Sequence, residues 1–177
     1  MTIGATFFVH GTQKLFGWFG GYGPDGTGQF FESLGLRPSK RNAIAAGATE
    51  AGGGVLVAIG ACTPLAAAGL SAVMITALRT AVWNEGIKPA TGEHEVLLAA
   101  GALALTETGP GAPSVDSALG TERTGLWWTL AALGAGAAGS AMAISMGRRE
   151  PAATAPAEPA GAPATPETPP APEASTT

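Results

Sequence analysis

The sequence predicts an all-α integral membrane helical bundle of five spans followed by a disordered C-terminal tail. Three observations carry that prediction. Only 12% of the 177 residues are charged and the mean hydropathy is +0.25, whereas a soluble domain carries about 25% charge. Three runs, 42–62, 64–83 and 126–146, are predominantly apolar and close to the roughly 20 residues that cross a bilayer. Their flanks carry Trp, Lys or Arg, as the ends of membrane spans do.

The formal charge of −4 comes from Glu150, Glu158, Glu167 and Glu173, all in the tail. Without them acids and bases balance, and no stretch offers the basic face that a nucleic-acid partner needs. Cys62 is the single cysteine. It permits no intramolecular disulfide, and a buried, packed thiol is the expectation for it. Met1 to Gly4 lack the basic start of a signal peptide, so the N-terminus reads as retained helix. The apolar run before His10 is short for a span, which suggests a start that has been cut short.

The first span is expected over Thr2 to Phe19, ended by Gly20, Gly21 and Pro24. Residues 22–41 form a polar connection in which PDGTG signals a turn and QFFESLGL a short amphipathic interfacial helix. Asn42 to Cys62 is the second span, and Pro64 to Trp83 the third, with Arg79 in its last turns. After a polar loop the fourth apolar run reaches membrane length only over Glu93 to Thr108, its carboxylates suiting the positive end of the helix dipole. A Gly/Pro/Ser-rich loop leads to the fifth span, Leu126 to Met146, which opens on Trp127 and Trp128. From Arg148 the Pro/Ala/Glu/Thr sequence cannot bury enough apolar surface to order itself.

Basic residues assign the sides. Arg37, Lys40, Arg41, Lys88, Arg148 and Arg149 share one side with the tail, and Arg79 lies near it. The other side has only Arg123. The positive-inside rule then makes the tail cytoplasmic and the N-terminus external.

The candidate chemistry lies in the first two spans. His10 and Lys14 are i and i+4 on one face, with Gln13 beside them. In an antiparallel hairpin the 1.5 Å rise per residue places Glu50 about 12 Å below Asn42, level with that face. A carboxylate at that depth requires a partner, a neutral form or water. Two readings stand side by side: a clamp that fixes helix register, and an intramembrane polar pocket of His10, Gln13, Lys14 and Glu50 that relays protons or binds a ligand, with Trp18, Phe19 and Tyr22 as an aromatic loop over it. Glu107 reads as an interfacial residue. His94 between Glu93 and Glu95 invites a metal reading, but consecutive residues point in different directions, so no metal site is expected. Gly21–Gly26 matches G-x-G-x-x-G; without a preceding strand or a long following helix, and with Pro24 breaking the turn, it is rejected as a dinucleotide fingerprint. Gly52, Gly53, Gly54, Gly60, Gly134, Gly136 and Gly139 are expected to let helices approach closely.

Five stretches in this order resemble one family: F-x-x-H-G-x-Q-K-L-F-G-W-F-G-G from Phe7, F-F-x-x-L-G-L from Phe30, the segment Ala48 to Gly54 around Glu50, T-P-L-A from Thr63, and G-P-G-x-x-S-x-D from Gly109. Together they resemble the DoxX family of small bacterial integral membrane proteins. The resemblance covers about residues 5–120. It implies a DoxX-like domain of four spans over 1–120, to which this chain adds a further transmembrane helix in 121–147 and the tail 148–177. It also implies a bacterial plasma-membrane subunit of a redox system, linked to quinone, sulfur or oxidative stress, with a protein partner and a homo-oligomer among its assemblies. No haem, flavin, iron–sulfur or metal motif accompanies it, so any electron carrier is expected to be a quinone or to belong to another subunit, and no catalytic residue is assigned. The rival expectations are a non-catalytic scaffold that docks a soluble redox enzyme, and a small-solute or proton carrier.

Overall fold

The computed structural model describes residues 1–82 and 92–147. The expected disordered tail, with Arg148 and Arg149, and most of the loop holding Lys88, lie outside the described residues.

Within them the chain is helical: α1 (Thr2–Phe16), a 3-10 turn (Trp18–Gly20), α2 (Gly23–Ser33), α3 (Ser39–Ile59), α4 (Thr63–Ala77), continued by a π-turn over Leu78–Val82, α5 (Glu93–Thr108), α6 (Val115–Leu119) and α7 (Leu126–Gly147). The long helices alternate in direction. Gly4 faces Ala58 while Gly11 faces Gly47, so α1 and α3 are antiparallel. Ile3 meets Gly101 and His10 meets His94, so α1 and α5 are antiparallel too. Gly136 rests against Ala68 and Ala72, and Ser140 against Thr76, which sets α7 parallel to α4. One pole therefore gathers the α1–α3 connection, the start of α5 and the end of α7. The opposite pole gathers Met1, the α3–α4 turn and the α5–α7 connection.

Phe7, Val57, Ala66, Ala67, Leu70, Met74, Leu98, Ala102 and Ala132 form the core, drawn from all five long helices. Three helices, Ser39–Ile59, Thr63–Ala81 and Leu126–Gly147, are long and apolar enough to cross a membrane, and only 33%, 39% and 28% of their span windows are buried inside the chain. Their outward surface carries Leu65, Leu126, Leu130, Leu133 and Met142. An apolar surface of that extent belongs in lipid rather than in water. The protein is membrane-embedded.

Several boundaries differ from expectation for local reasons. α1 stops at Phe16, not Phe19, because Gly17 adopts φ 72° and its N–H closes on the Gln13 carbonyl. Pro24 does not break a helix; it stands in the first turn of α2, where its missing N–H costs nothing, and Asp25 beside it suits the dipole. The interfacial helix accordingly begins at Gly23 rather than near Gln29. Cys62 is exposed, contrary to the buried thiol expected, because the α3–α4 turn holds its backbone at φ 47° and aims it outward. The Gly/Pro/Ser-rich loop after α5 contains α6, capped by the Ser114 hydroxyl accepting from the Ser117 N–H. Of the glycines expected at contacts, Gly52 and Gly134 meet nothing within 4 Å.

Candidate functional site

The α1–α3 contact sets the site. Gly4 and Gly11 on α1 and Gly47 and Gly54 on α3 recur at seven-residue spacing and face the other helix's backbone. A Cβ on Gly4 would lie 2.5 Å from the Gly54 carbonyl oxygen, and one on Gly54 would lie 2.5 Å from the Phe8 nitrogen. The helices touch main chain to main chain, as small residues permit in membranes. These four positions, only one of them singled out in the sequence, hold Lys14 opposite Glu50.

Lys14 Nζ donates to Glu50 Oε2 at 2.5 Å. Glu50 is only 1% exposed, while the Lys14 side chain is 23% exposed. The carboxylate is thus deep and the ammonium reaches toward the pole, the arrangement a long Lys stem allows. His10, one turn before Lys14, is half-buried and its ring centroid stands 5.1 Å from that of His94, at the first turn of α5. Lys14, His94 and Glu95 are the charged or titratable groups acting on His10. Glu95 Oε2 is buried and has no hydrogen-bond partner. The result is a string of titratable groups shared by three helices: Glu50 on α3, Lys14 and His10 on α1, His94 and Glu95 on α5.

Gln13 turns away from this string. Its Nε2 donates to the Phe19 carbonyl at 3.3 Å and fixes the turn after α1. Trp18, Phe19 and Tyr22 are 54%, 65% and 85% exposed and project from the pole. Phe16 and Trp18 stack at 5.0 Å, and Phe19 meets Trp18 edge-on. Phe19 sits at φ 52°, a strained value for a bulky residue. His94 and Glu95 have no sequence signal that places them here, since only the tertiary approach of α5 to α1 does so.

Among the described residues no group of three or more His, Cys, Asp or Glu is arranged to hold a metal. A cavity of about 300 Å³ lies between α2, α3, α4 and α7, and one of about 580 Å³ lies at the opposite pole. Glu50, Lys14 and His10 line neither.

At the opposite pole the structure adds a residue that the candidate list lacked. The Asp116 carboxylate accepts from the Cys62 N–H at 2.9 Å, the Thr63 N–H at 3.0 Å, the Thr63 hydroxyl at 2.9 Å and the Thr121 hydroxyl at 3.3 Å. It caps the start of α4 and ties α6 to the α3–α4 turn. Burial by itself would push this carboxyl up, but the N–H groups of Thr63 and Cys62 and the two hydroxyls hold it below the usual carboxylate range. The signal was present in the sequence as the aspartate of G-P-G-x-x-S-x-D. Glu107, at the end of α5, accepts from the Thr129 hydroxyl at 2.9 Å and joins α5 to α7.

A helical membrane protein with a glycine-faced first hairpin and one buried Lys–Glu pair is the class these observations define. The DoxX family model matches residues 1–83, so α1 to the end of the π-turn form a DoxX-like region. No curated protein matches the chain. No solved structure matches it either.

Proposed function

We propose that this chain is a plasma-membrane subunit of a quinone-linked redox system serving sulfur or oxidative-stress metabolism, and that its own part is to pass protons. The observation behind this reading is the Lys14–Glu50 pair, a carboxylate 1% exposed within the spans and continued by His10, His94 and Glu95 toward the pole. Buried ionisable groups inside spans are costly, and proton relays are a principal use of them. Electrons travel in a partner subunit or a mobile quinone, and this chain supplies or removes the accompanying protons. The pole bearing Arg37, Lys40, Arg41 and Arg79 is cytoplasmic by the positive-inside rule.

The test is quinone-dependent oxidoreductase activity of membranes carrying Glu50→Gln or Lys14→Met, with partner co-purification measured beside it. Activity should fall by at least about a hundredfold, the usual lower end for losing a proton-transfer group, while partners are retained. Full activity in a correctly assembled Glu50→Gln membrane removes the relay reading, and failure of both variants to assemble leaves the pair as a clamp.

A scaffold reading is favoured by one separate observation, the exposed Trp18, Phe19 and Tyr22 on a strained turn. Exposed aromatic groups on a rigid turn are suited to anchor a partner. Replacing the three by Ala should then abolish co-purification of a soluble enzyme without altering membrane insertion.

A further inference from the structure

The cavity of about 300 Å³ between α2, α3, α4 and α7 is made by missing side chains. Ala46, Gly69, Ala72, Ala77 and Ala143 form much of its wall, and Phe30 and Phe31 of α2 roof it. Three of its four walls are the helices long and apolar enough to cross a membrane. The space therefore adjoins the acyl region of the bilayer, where an apolar void forfeits contacts that a chain can supply.

One end of the cavity is polar in a specific sense. Asn42, at the start of α3, lines it, and its Nδ2 is buried with no acceptor. The hydroxyls of Thr49 and Thr76, also on the wall, already donate to the Ala45 and Ala72 carbonyls. Close by, Arg37 Nε is buried and likewise has no acceptor, although the other end of that guanidinium pairs with Glu32 at 3.3 Å. Both residues come to Gly147, Asn42 by its side chain and Arg37 by its backbone: a Cβ there would lie 3.4 Å from Asn42 Nδ2 and 3.5 Å from the Arg37 backbone nitrogen. Leaving a buried donor unmade is unfavourable. The two donors at this corner call for acceptor oxygens, and the wall beyond calls for hydrocarbon. From Asn42 to Thr49 along α3 is about 10 Å of apolar depth.

We propose that this cavity is a binding site for one glycerophospholipid, an ester carbonyl accepting from Asn42, a headgroup-side oxygen accepting from Arg37, and an acyl chain running inward past Ala46 and Ala77. The two orphan donors select a ligand with several oxygens at its polar end over a plain hydrocarbon. Glu50 does not line this cavity, and the proposal does not depend on the role proposed for the Lys14–Glu50 pair.

The experiment uses the full chain in vesicles of phosphatidylglycerol and phosphatidylethanolamine doped with a phosphatidylglycerol bearing a photoactivatable group in mid-chain. A parallel sample is doped with an isoprenoid quinone bearing the same group. Cross-linked peptides should come from the α3 and α4 walls with the lipid probe, and excess unlabelled phosphatidylglycerol should compete. Ala46→Leu and Ala77→Leu, which fill the space, should abolish that labelling. Asn42→Leu should weaken it about fivefold, the share of one hydrogen bond. Labelling spread evenly over the outer faces of α3, α4 and α7 overturns the proposal, as does labelling of these walls by the quinone probe alone. The wild-type map reads out either way, so a variant that fails to fold does not shield the proposal.

Discussion

Gly11 of α1 lies so close to Ala51 of α3 that no side chain fits between the two backbones, and a Cβ on Gly11 would also stand 2.6 Å from the Gly47 carbonyl oxygen. Backbone cannot swing aside as a flexible side chain can. Gly11→Val should therefore force α1 from α3, break the Lys14–Glu50 pair and lower stability in detergent by at least about 3 kcal/mol, at or above the usual cost of overpacking. Gly52→Ala is the control on the facing helix α3, because nothing lies within 4 Å of that position. It should be neutral or stabilise by up to about 1 kcal/mol through helix propensity. Thermal unfolding of both variants in one detergent decides the matter, and equal behaviour would refute the tight-seam account.

The ion pair predicts an asymmetry. Lys14→Met leaves the Glu50 carboxylate, 1% exposed, without its ion-pair partner, and should destabilise by about 3–5 kcal/mol. Lys14→Met combined with Glu50→Leu removes both charges and should recover most of that loss. A double-mutant cycle followed by chemical unfolding measures it. Losses that simply add would show that the two residues do not act on each other.

Asp116 should make the α3–α4 turn acid-sensitive. Its folded-state carboxyl titrates below the usual value, near 3.9 in an unfolded chain. The sign follows: its stabilising share is complete above about pH 4 and is lost as pH falls further, through the folded-state value. Asp116→Asn should flatten that acid limb and cost about 2 kcal/mol at neutral pH, since one amide oxygen cannot serve donors from Cys62, Thr63 and Thr121. Stability measured from about pH 2.5 to about pH 7, across the carboxylate region, checks both statements.

Cys62 reports the orientation. It is exposed beside the α3–α4 turn, at the pole opposite Arg37 and Lys40, and is the chain's one cysteine. A membrane-impermeant maleimide added to intact cells should label it if the basic pole is cytoplasmic. Labelling only after the cells are opened would reverse the proposed topology.

What the sequence revealed and what it hid have separate physical causes. The fold class was legible because hydrocarbon imposes long apolar runs, and the start of α5 was legible because the carboxylates of Glu93 and Glu95 suit the positive end of its dipole. Glu50 stood out as a lone carboxylate in an Ala/Gly run. The seam was hidden because Gly4, Gly11 and Gly47 lie in a sequence already rich in glycine, where the seven-residue period is easily lost. Pro24 misled because the same residue stops a helix in its interior and starts one at its first turn. The meeting of His10 with His94 was illegible, since 84 positions separate them and only the docking of α5 decides it.

The last bond of α7 joins distant parts of the chain: the Arg37 N–H donates to the Gly147 carbonyl at 2.9 Å. The end of the final helix is therefore moored to the corner between α2 and α3, within the region matched by the family. Tension applied to the C-terminal segment, by a partner that grips it, would load this corner first, and with it the wall that carries Asn42.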